Sequence, residues 1–267
     1  MPHNPFIIAL DSNDPATVKG WVNSFAHEAG LVKIGLEFFT MHGIAGIQKL
    51  ELPCGPHSCK LFLDLKFHDI PNTVKGAIRS AMATGCEMLT IHASGGHSMC
   101  KAATETAAEE ADKRGTKAPL VLAVTLLTSL SQQEATQIGY GNIETQVLRL
   151  AELAIGAGIG GLVCSPLEIA PIRARFGHDI KLVVPGIRAH ARADSTSAHS
   201  LEHAPLRGQE GPSREQTIKL DDQTRTLSAA EALKAGADYL VVGRPVTQAQ
   251  NPLEAIKTLK ASAKTSH

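Results

Sequence analysis

The 267-residue sequence is long enough for one large hydrophobic core and too long for a disulfide-stapled miniprotein. Hydrophobic residues make up 43% and charged residues 19%, which excludes a wholly disordered chain. Lys plus Arg and Asp plus Glu both number 26, so the formal net charge is zero. No global basic field draws the chain to nucleic acid or an anionic membrane, and any anionic ligand has to be held by a local site.

The N-terminus, Met1-Pro2-His3-Asn4-Pro5, has no basic stretch before an apolar one, so no signal peptide is predicted. It runs straight into Phe6–Leu10, the first of eight short aliphatic runs. The others are Leu31–Ile34, Leu61–Leu65, Met88–Ile91, Leu120–Thr125, Gly161–Cys164, Lys181–Val184 and Tyr239–Val242. Continuous runs of this length suit strands buried on both faces. None approaches the ~20 residues of a membrane helix. Most are separated by Ala-rich stretches of helical length, such as Val74–Thr84, Lys101–Lys113, Val147–Ala157 and Ala229–Ala235. Gly30, Gly85, Gly158 and Gly236 each follow such a stretch and are expected to end it in the left-handed conformation.

Eight strands alternating with helices predict a single-domain (β/α)8 TIM barrel spanning 1–267. A doubly wound open sheet is the alternative, but no G-x-G-x-x-G follows the first strand. The span 189–222 breaks the alternation, being polar with several Gly and Pro. It reads as an extended loop insertion after strand seven, of the kind that forms a lid over a site. The five cysteines are scattered and odd in number, which suits reduced thiols in a cytoplasm.

Chemistry in such a barrel sits at the C-terminal ends of the strands. Strand one ends in Asp11, strand two carries Lys33, and strand three ends in Asp64-Leu65-Lys66 with Asp69 just beyond. On a strand, Asp64 and Lys66 face the same side. The expected arrangement is an alternating row, Lys33–Asp64–Lys66–Asp69. Read blandly, it is a structural ion-pair network. Read functionally, it holds a protonated lysine as a general acid, since flanking carboxylates favour the charged form. At strand eight, Gly243-Arg244 is either a plain turn or a phosphate cradle of backbone amide and guanidinium.

Other features carry less. Cys54, His57 and Cys59 offer three zinc ligands without an evident fourth, and free thiols are the simpler reading. His92 is expected to pack or hydrogen-bond at the barrel mouth, and His190, His199 and His203 to be solvated. Trp21 and Phe25 read as core or interface on the first helix.

The segment Leu61-Phe-Leu-Asp64-Leu-Lys66-Phe-His-Asp69-Ile-Pro71-Asn-Thr73 resembles the signature of the orotidine 5′-phosphate decarboxylase family, D-x-K-x-x-D-I-P-x-T after a barrel strand. Further motifs resemble the family's bacterial branch in the same order along nearly the whole chain. They are Ala9-Leu10-Asp11, Val32-Lys33-Ile34-Gly35, Ile91-His92-Ala93, Val124 to Ser129, Pro185-Gly186-Ile187-Arg188, Asp222-Gln223 and Val242 to Pro245.

The resemblance implies decarboxylation of orotidine 5′-phosphate to uridine 5′-phosphate, the final step of de novo pyrimidine nucleotide synthesis, with no metal and no organic cofactor. It implies Lys66 as proton donor to C6, Asp64 against the substrate carboxylate, and Asp11 and Lys33 on the ribose hydroxyls. It makes Thr128 a reader of the pyrimidine edge and Arg188, Gln223, the Gly243 amide and Arg244 the phosphate ligands. Asp69 and Thr73 would reach into the partner subunit's site of a cytoplasmic homodimer. One departure stands out: 189–222 is longer than the family's usual span between the P-G-I-R and D-Q motifs, and a smaller enlargement, 52–60, precedes strand three.

Two rivals remain. Mg2+-dependent sugar-phosphate decarboxylases and aldolases share the D-x-K-x-x-D barrel but carry an acidic metal ligand on strand two, where this chain offers Lys33. A non-catalytic nucleotide-binding barrel would keep Arg244 without needing Lys66 between acids.

Overall fold

The computed structural model describes residues 4–52, 59–188 and 227–264. Seven strands come first: β1 (Phe6–Ala9), β2 (Leu31–Gly35), β3 (Lys60–Phe67), β4 (Met88–His92), β5 (Leu120–Val124), β6 (Gly161–Val163) and β7 (Lys181–Val184). A short parallel pair, β8 (Ile187–Arg188) and β9 (Leu227–Ser228), precedes β10 (Tyr239–Val242). Strands β1 to β7 and β10 close into a parallel barrel in the order β1-β10-β7-β6-β5-β4-β3-β2. These are the eight predicted strands, with ends shifted by no more than a residue or two.

The long helices are α1 (Pro15–Phe25), α2 (Leu36–Lys49), α3 (Pro71–Ala81) and α4 (His97–Arg114) in the first half of the chain. After them come α5 (Gln132–Gln137), α6 (Ile143–Gly156), α7 (Ile169–Phe176), α8 (Ala229–Ala235), the single turn α9 (Arg244–Thr247) and α10 (Pro252–Lys264). Helix α8 shows why the boundaries fall where they do. Ser228 and Glu231 form a reciprocal capping box at its start, and Gly236 ends it in the left-handed conformation.

Gly85 and Gly158 are also left-handed, with φ 69° and 85°. Gly30 is not, and glycine is needed there for another reason: a Cβ would lie 2.2 Å from the Asn4 carbonyl oxygen. The predicted insertion 189–222 lies outside the described residues. Its flanks pair as Ile187 with Leu227 and Arg188 with Ser228, a short sheet that the polar sequence on either side did not announce.

The strand runs are continuously apolar because each strand has two buried faces. Ile7, Ala9, Leu31, Phe62, Met88, Leu122, Val124, Val163, Val183 and Val241 form one cluster, to which every barrel strand contributes. Alternate residues, such as Ile8, Val32, Leu63, Leu89 and Leu240, join a second cluster with the helices. Phe25 is buried in that cluster and Trp21 packs against it. Counting in twos from the inner cluster toward the C-terminal ends gives Asp11, Lys33, Asp64, Thr90 and Gly243. The interior changes from hydrocarbon to polar within a single step of the strand repeat.

One polar staple serves the fold alone. The Arg173 guanidinium, 8% exposed, donates to the carbonyls of Gly177, Ile180 and Gly236 and pairs with Asp238. Asp238 also accepts from Lys181 and from the Leu182 amide. Removing one member of such a cluster strands the others, so Arg173→Ala is expected to cost about 3–5 kcal/mol, read as a lower urea midpoint with an unchanged m-value.

Candidate active site

Four charged side chains meet at the mouth of the barrel. Lys33 Nζ lies 3.3 Å from Asp11 Oδ1 and 3.4 Å from Asp64 Oδ2. Lys66 Nζ donates to Asp64 Oδ1 at 2.9 Å. The row is therefore Asp11–Lys33–Asp64–Lys66. The spacing argument ended it differently, with Asp69. Strand β3 stops at Phe67, and Asp69 falls in the turn leading to α3. There it is exposed, its Oδ1 accepts the Ile70 amide, and it makes no ion pair within the chain among the described residues. Thr73, on the first turn of α3, is exposed as well.

Burial governs the electrostatics. Desolvation alone would lower the Lys33 pKa, but the Asp64 and Asp11 carboxylates outweigh it and hold the ammonium above the ordinary lysine value. Burial would likewise raise Asp64, yet Lys33, Lys66 and a hydrogen bond from Thr90 bring its carboxyl below the usual range. A depressed Asp64 stabilises the fold above the unfolded value near 3.9 and loses that contribution as pH falls through its folded pKa. A raised Lys33 contributes fully below about 10.4 and loses it as pH rises through its folded pKa.

Lys66 reaches Asp64 by a route that simple strand alternation does not describe. Leu63 pairs with Leu89 and Phe67 with Ile91, so three residues of β3 face one of β4. Within this bulge Lys66 has φ of +50°, a left-handed conformation that costs a non-glycine residue about 1–2 kcal/mol. Bulges gather beside active sites because they re-aim a side chain.

These charges line a cavity of about 900 Å³. Its floor is apolar, formed by Phe62, Val124, Val163 and Val241. Around the closed barrel, β7 stands four strands from β3, directly across the opening. That far side is lined by Pro185, Gly186 and Ile187, with Thr128 from the loop after β5, while Gly243, Arg244 and Gln248 follow β10, which borders β1. Gly243 is close to the charged row, since a Cβ on it would lie 3.6 Å from Asp11 Oδ2. An ionic row with Gly243 and Arg244 beside its Asp11 end, above an apolar floor, can take a flat ring carrying an anionic tail.

Among the predicted residues, Asp11, Lys33, Asp64, Lys66, Thr128, Gly243 and Arg244 line one cavity. Arg188 is in β8 and follows the lining residue Ile187. Gln223 lies outside the described residues, as do Cys54, His57, His190, His199 and His203. Cys59 is buried and free, and burial pushes its thiol up to about 12, which opposes a metal-binding thiolate. His92 packs against His68 with tilted rings whose centroids are 5.2 Å apart, and burial lowers its pKa. Among the described residues no group of three or more His, Cys, Asp or Glu could hold a metal ion, and no helix is long and apolar enough to cross a membrane.

Three contributors escaped the sequence. Gln248 follows α9 and lines the cavity. At Gly35 a Cβ would lie 3.3 Å from Lys33 Nζ, so glycine leaves room for the ammonium. Thr90 is fully buried and hydrogen-bonds both Asp64 and the Lys66 amide. Its signal was present: a hydroxyl at an inward position of an aliphatic strand.

The family model described as Orotidine 5′-phosphate decarboxylase / HUMPS family matches residues 4–259. A relative named orotidine 5′-phosphate decarboxylase from Paramagnetospirillum magneticum is 42% identical over 259 residues, covering 97% of each chain. Another of that name from Anaeromyxobacter sp. is 41% identical over 261 residues, covering 97% of this chain and 98% of the relative. The crystal structure of orotidine 5′-phosphate decarboxylase from Lactobacillus acidophilus superposes with a TM-score of 0.76 at 30% identity, covering 98% of this chain and 99% of that one.

Proposed function

Since this chain belongs to the orotidine 5′-phosphate decarboxylase / HUMPS family, we propose that it decarboxylates orotidine 5′-phosphate to uridine 5′-phosphate in pyrimidine synthesis. The observation that carries the reading is the row Asp11–Lys33–Asp64–Lys66 lining one cavity together with Gly243 and Arg244.

The phosphate binds to Arg244 and the Gly243 amide, with Arg188 and Gln223 completing its shell. Asp11 and Lys33 hold the ribose hydroxyls, and Thr128 reads the pyrimidine edge. This places C6 and its carboxylate beside Asp64 and Lys66. The C6–carboxylate bond breaks, CO2 leaves, and the electron pair stays on C6. The Lys66 ammonium stabilises that charge as it develops and then transfers a proton to C6, regaining one from solvent. The Asp64 carboxylate repels the substrate carboxylate before the bond breaks, so part of the binding energy gained at the phosphate opposes this repulsion.

Asp69 and Thr73 serve the partner subunit's site in a cytoplasmic homodimer. Both are exposed in the single chain, and Asp69 pairs with no cation among the described residues. No cofactor takes part. An ammonium at Lys33, 3.4 Å from Asp64, occupies the place where the Mg2+-using relatives need an acid, and it would repel a divalent ion.

The test is to measure orotidine 5′-phosphate decarboxylation before and after exhaustive treatment with EDTA. The rate is expected to be unchanged. Loss of activity that Mg2+ restores would favour the sugar-phosphate reading, and no decarboxylation under either condition would favour a binding protein.

A further inference from the structure

We propose that Thr90 is a positioning residue for this reaction: its hydroxyl clasps the bulge of β3 and so sets where the Lys66 ammonium stands. The inference rests on the decarboxylase reading of the site.

The argument begins with the ladder. Where β3 passes β4, Leu63 pairs with Leu89 and Phe67 with Ile91. Thr90 alone therefore faces Asp64, Leu65 and Lys66. A backbone that bulges in this way leaves an amide without its ladder partner. Here the Lys66 amide donates instead to Thr90 Oγ1 at 2.8 Å. The same oxygen has one proton to give, and it donates to Asp64 Oδ1 at 2.9 Å.

Oγ1 thus accepts from one end of the bulge and donates to the other. Its rotor has no freedom left, and the side chain is 0% exposed. Asp64 Oδ1 is also the atom that receives the Lys66 ammonium, at 2.9 Å. Thr90, Asp64 and Lys66 form a closed loop of three hydrogen bonds: amide to hydroxyl, hydroxyl to carboxylate, ammonium to carboxylate.

The loop accounts for the left-handed φ of +50° at Lys66. A lysine does not adopt that conformation unaided, and it persists only where the surroundings over-determine it. Thr90 supplies a fixed point on the backbone side, and Asp64 one on the ammonium side. Without the hydroxyl, the part-buried Lys66 amide is left unpaired, and the cheapest relief is for the bulge to relax toward ordinary strand geometry. The ammonium would then move relative to Asp64 and to the reacting carbon. The phosphate side of the cavity, on β7 and β10, would be untouched.

Thr90→Val keeps the shape of the side chain and removes the hydroxyl. It is expected to lower kcat by about 30–100-fold, the scale of a displacement near 1 Å, while KM changes less than about threefold. Thr90→Ser, which keeps the hydroxyl, is expected to recover most of that loss. A crystal structure of Thr90→Val should show the Lys66 φ outside the left-handed region, which reads positioning without any substrate. Failure of the wild-type protein to decarboxylate orotidine 5′-phosphate would sink the substrate reading, and the crystallographic readout would still decide the role of Thr90.

If kcat is retained in Thr90→Val, or if Lys66 keeps its backbone conformation there, the proposal is wrong. If Thr90→Val does not fold, Thr90→Ala is measured in its place with the same expectations. Failure of both to fold would make Thr90 a folding residue and overturn the proposal.

Discussion

Lys66→Ala is expected to lower turnover by about 10⁴-fold or more if, as proposed, one side chain both stabilises the developing charge and donates the proton. No other described ammonium is placed to take over. Lys33 is held by Asp11 and Asp64, and Arg244 follows β10, which borders β1 and not β3. The fold should survive the change. Lys66 sits at the rim, and Asp64 keeps Lys33 and Thr90 as partners once the Lys66 ammonium is gone. Circular dichroism and the melting temperature should therefore change little. A variant that kept a tenth of the wild-type kcat would contradict the assignment.

The second large effect concerns Asp69. If its carboxylate completes the partner subunit's site, Asp69→Ala should be as severely impaired as a loss from within the charge row, although Asp69 pairs with no cation of its own chain among the described residues. Mixing that variant with Lys66→Ala under conditions of subunit exchange then makes a specific demand. In a mixed dimer, one site carries both defects and the other carries neither. With equal amounts and free exchange, half the dimers are mixed, so activity should return to about a quarter of wild type. No recovery, with exchange demonstrated by labelled subunits, would mean that each chain carries a self-contained site.

Much of this was legible because burial leaves a simple mark. A strand with two buried faces must be apolar at successive residues, and eight such runs separated by helical lengths leave few architectures open. The charged row was partly legible for the same reason. Lys33 and Asp64 each stand two residues beyond an interior hydrophobe, Leu31 and Phe62, so a charge at that position has to face the barrel mouth.

What stayed hidden depends on register between strands, which no single run encodes. The bulge that turns Lys66 exists only relative to β4, and Thr90 looks like one more β-branched residue until Leu89 and Ile91 are seen to bracket it. Asp69 was expected to join the row from just beyond the strand, and a sequence does not show the turn between β3 and α3 in which it lies. Gly30 looked like a helix terminator, whereas its constraint is the Asn4 carbonyl arriving from 26 positions earlier in the chain. Gly243-Arg244 could be read only as a plain turn or a phosphate cradle, and its closeness to Asp11 shows only when the barrel sets β10 beside β1.

The most direct measurement of the central claim is turnover of orotidine 5′-phosphate in D2O, followed by mass spectrometry and proton NMR of the nucleotide product. A carbanion protonated by Lys66 predicts one CO2 released per uridine 5′-phosphate formed, deuterium at C6 of the product, and neither event in Lys66→Ala. CO2 release that persisted in Lys66→Ala, or a wild-type protein that released none, would contradict it.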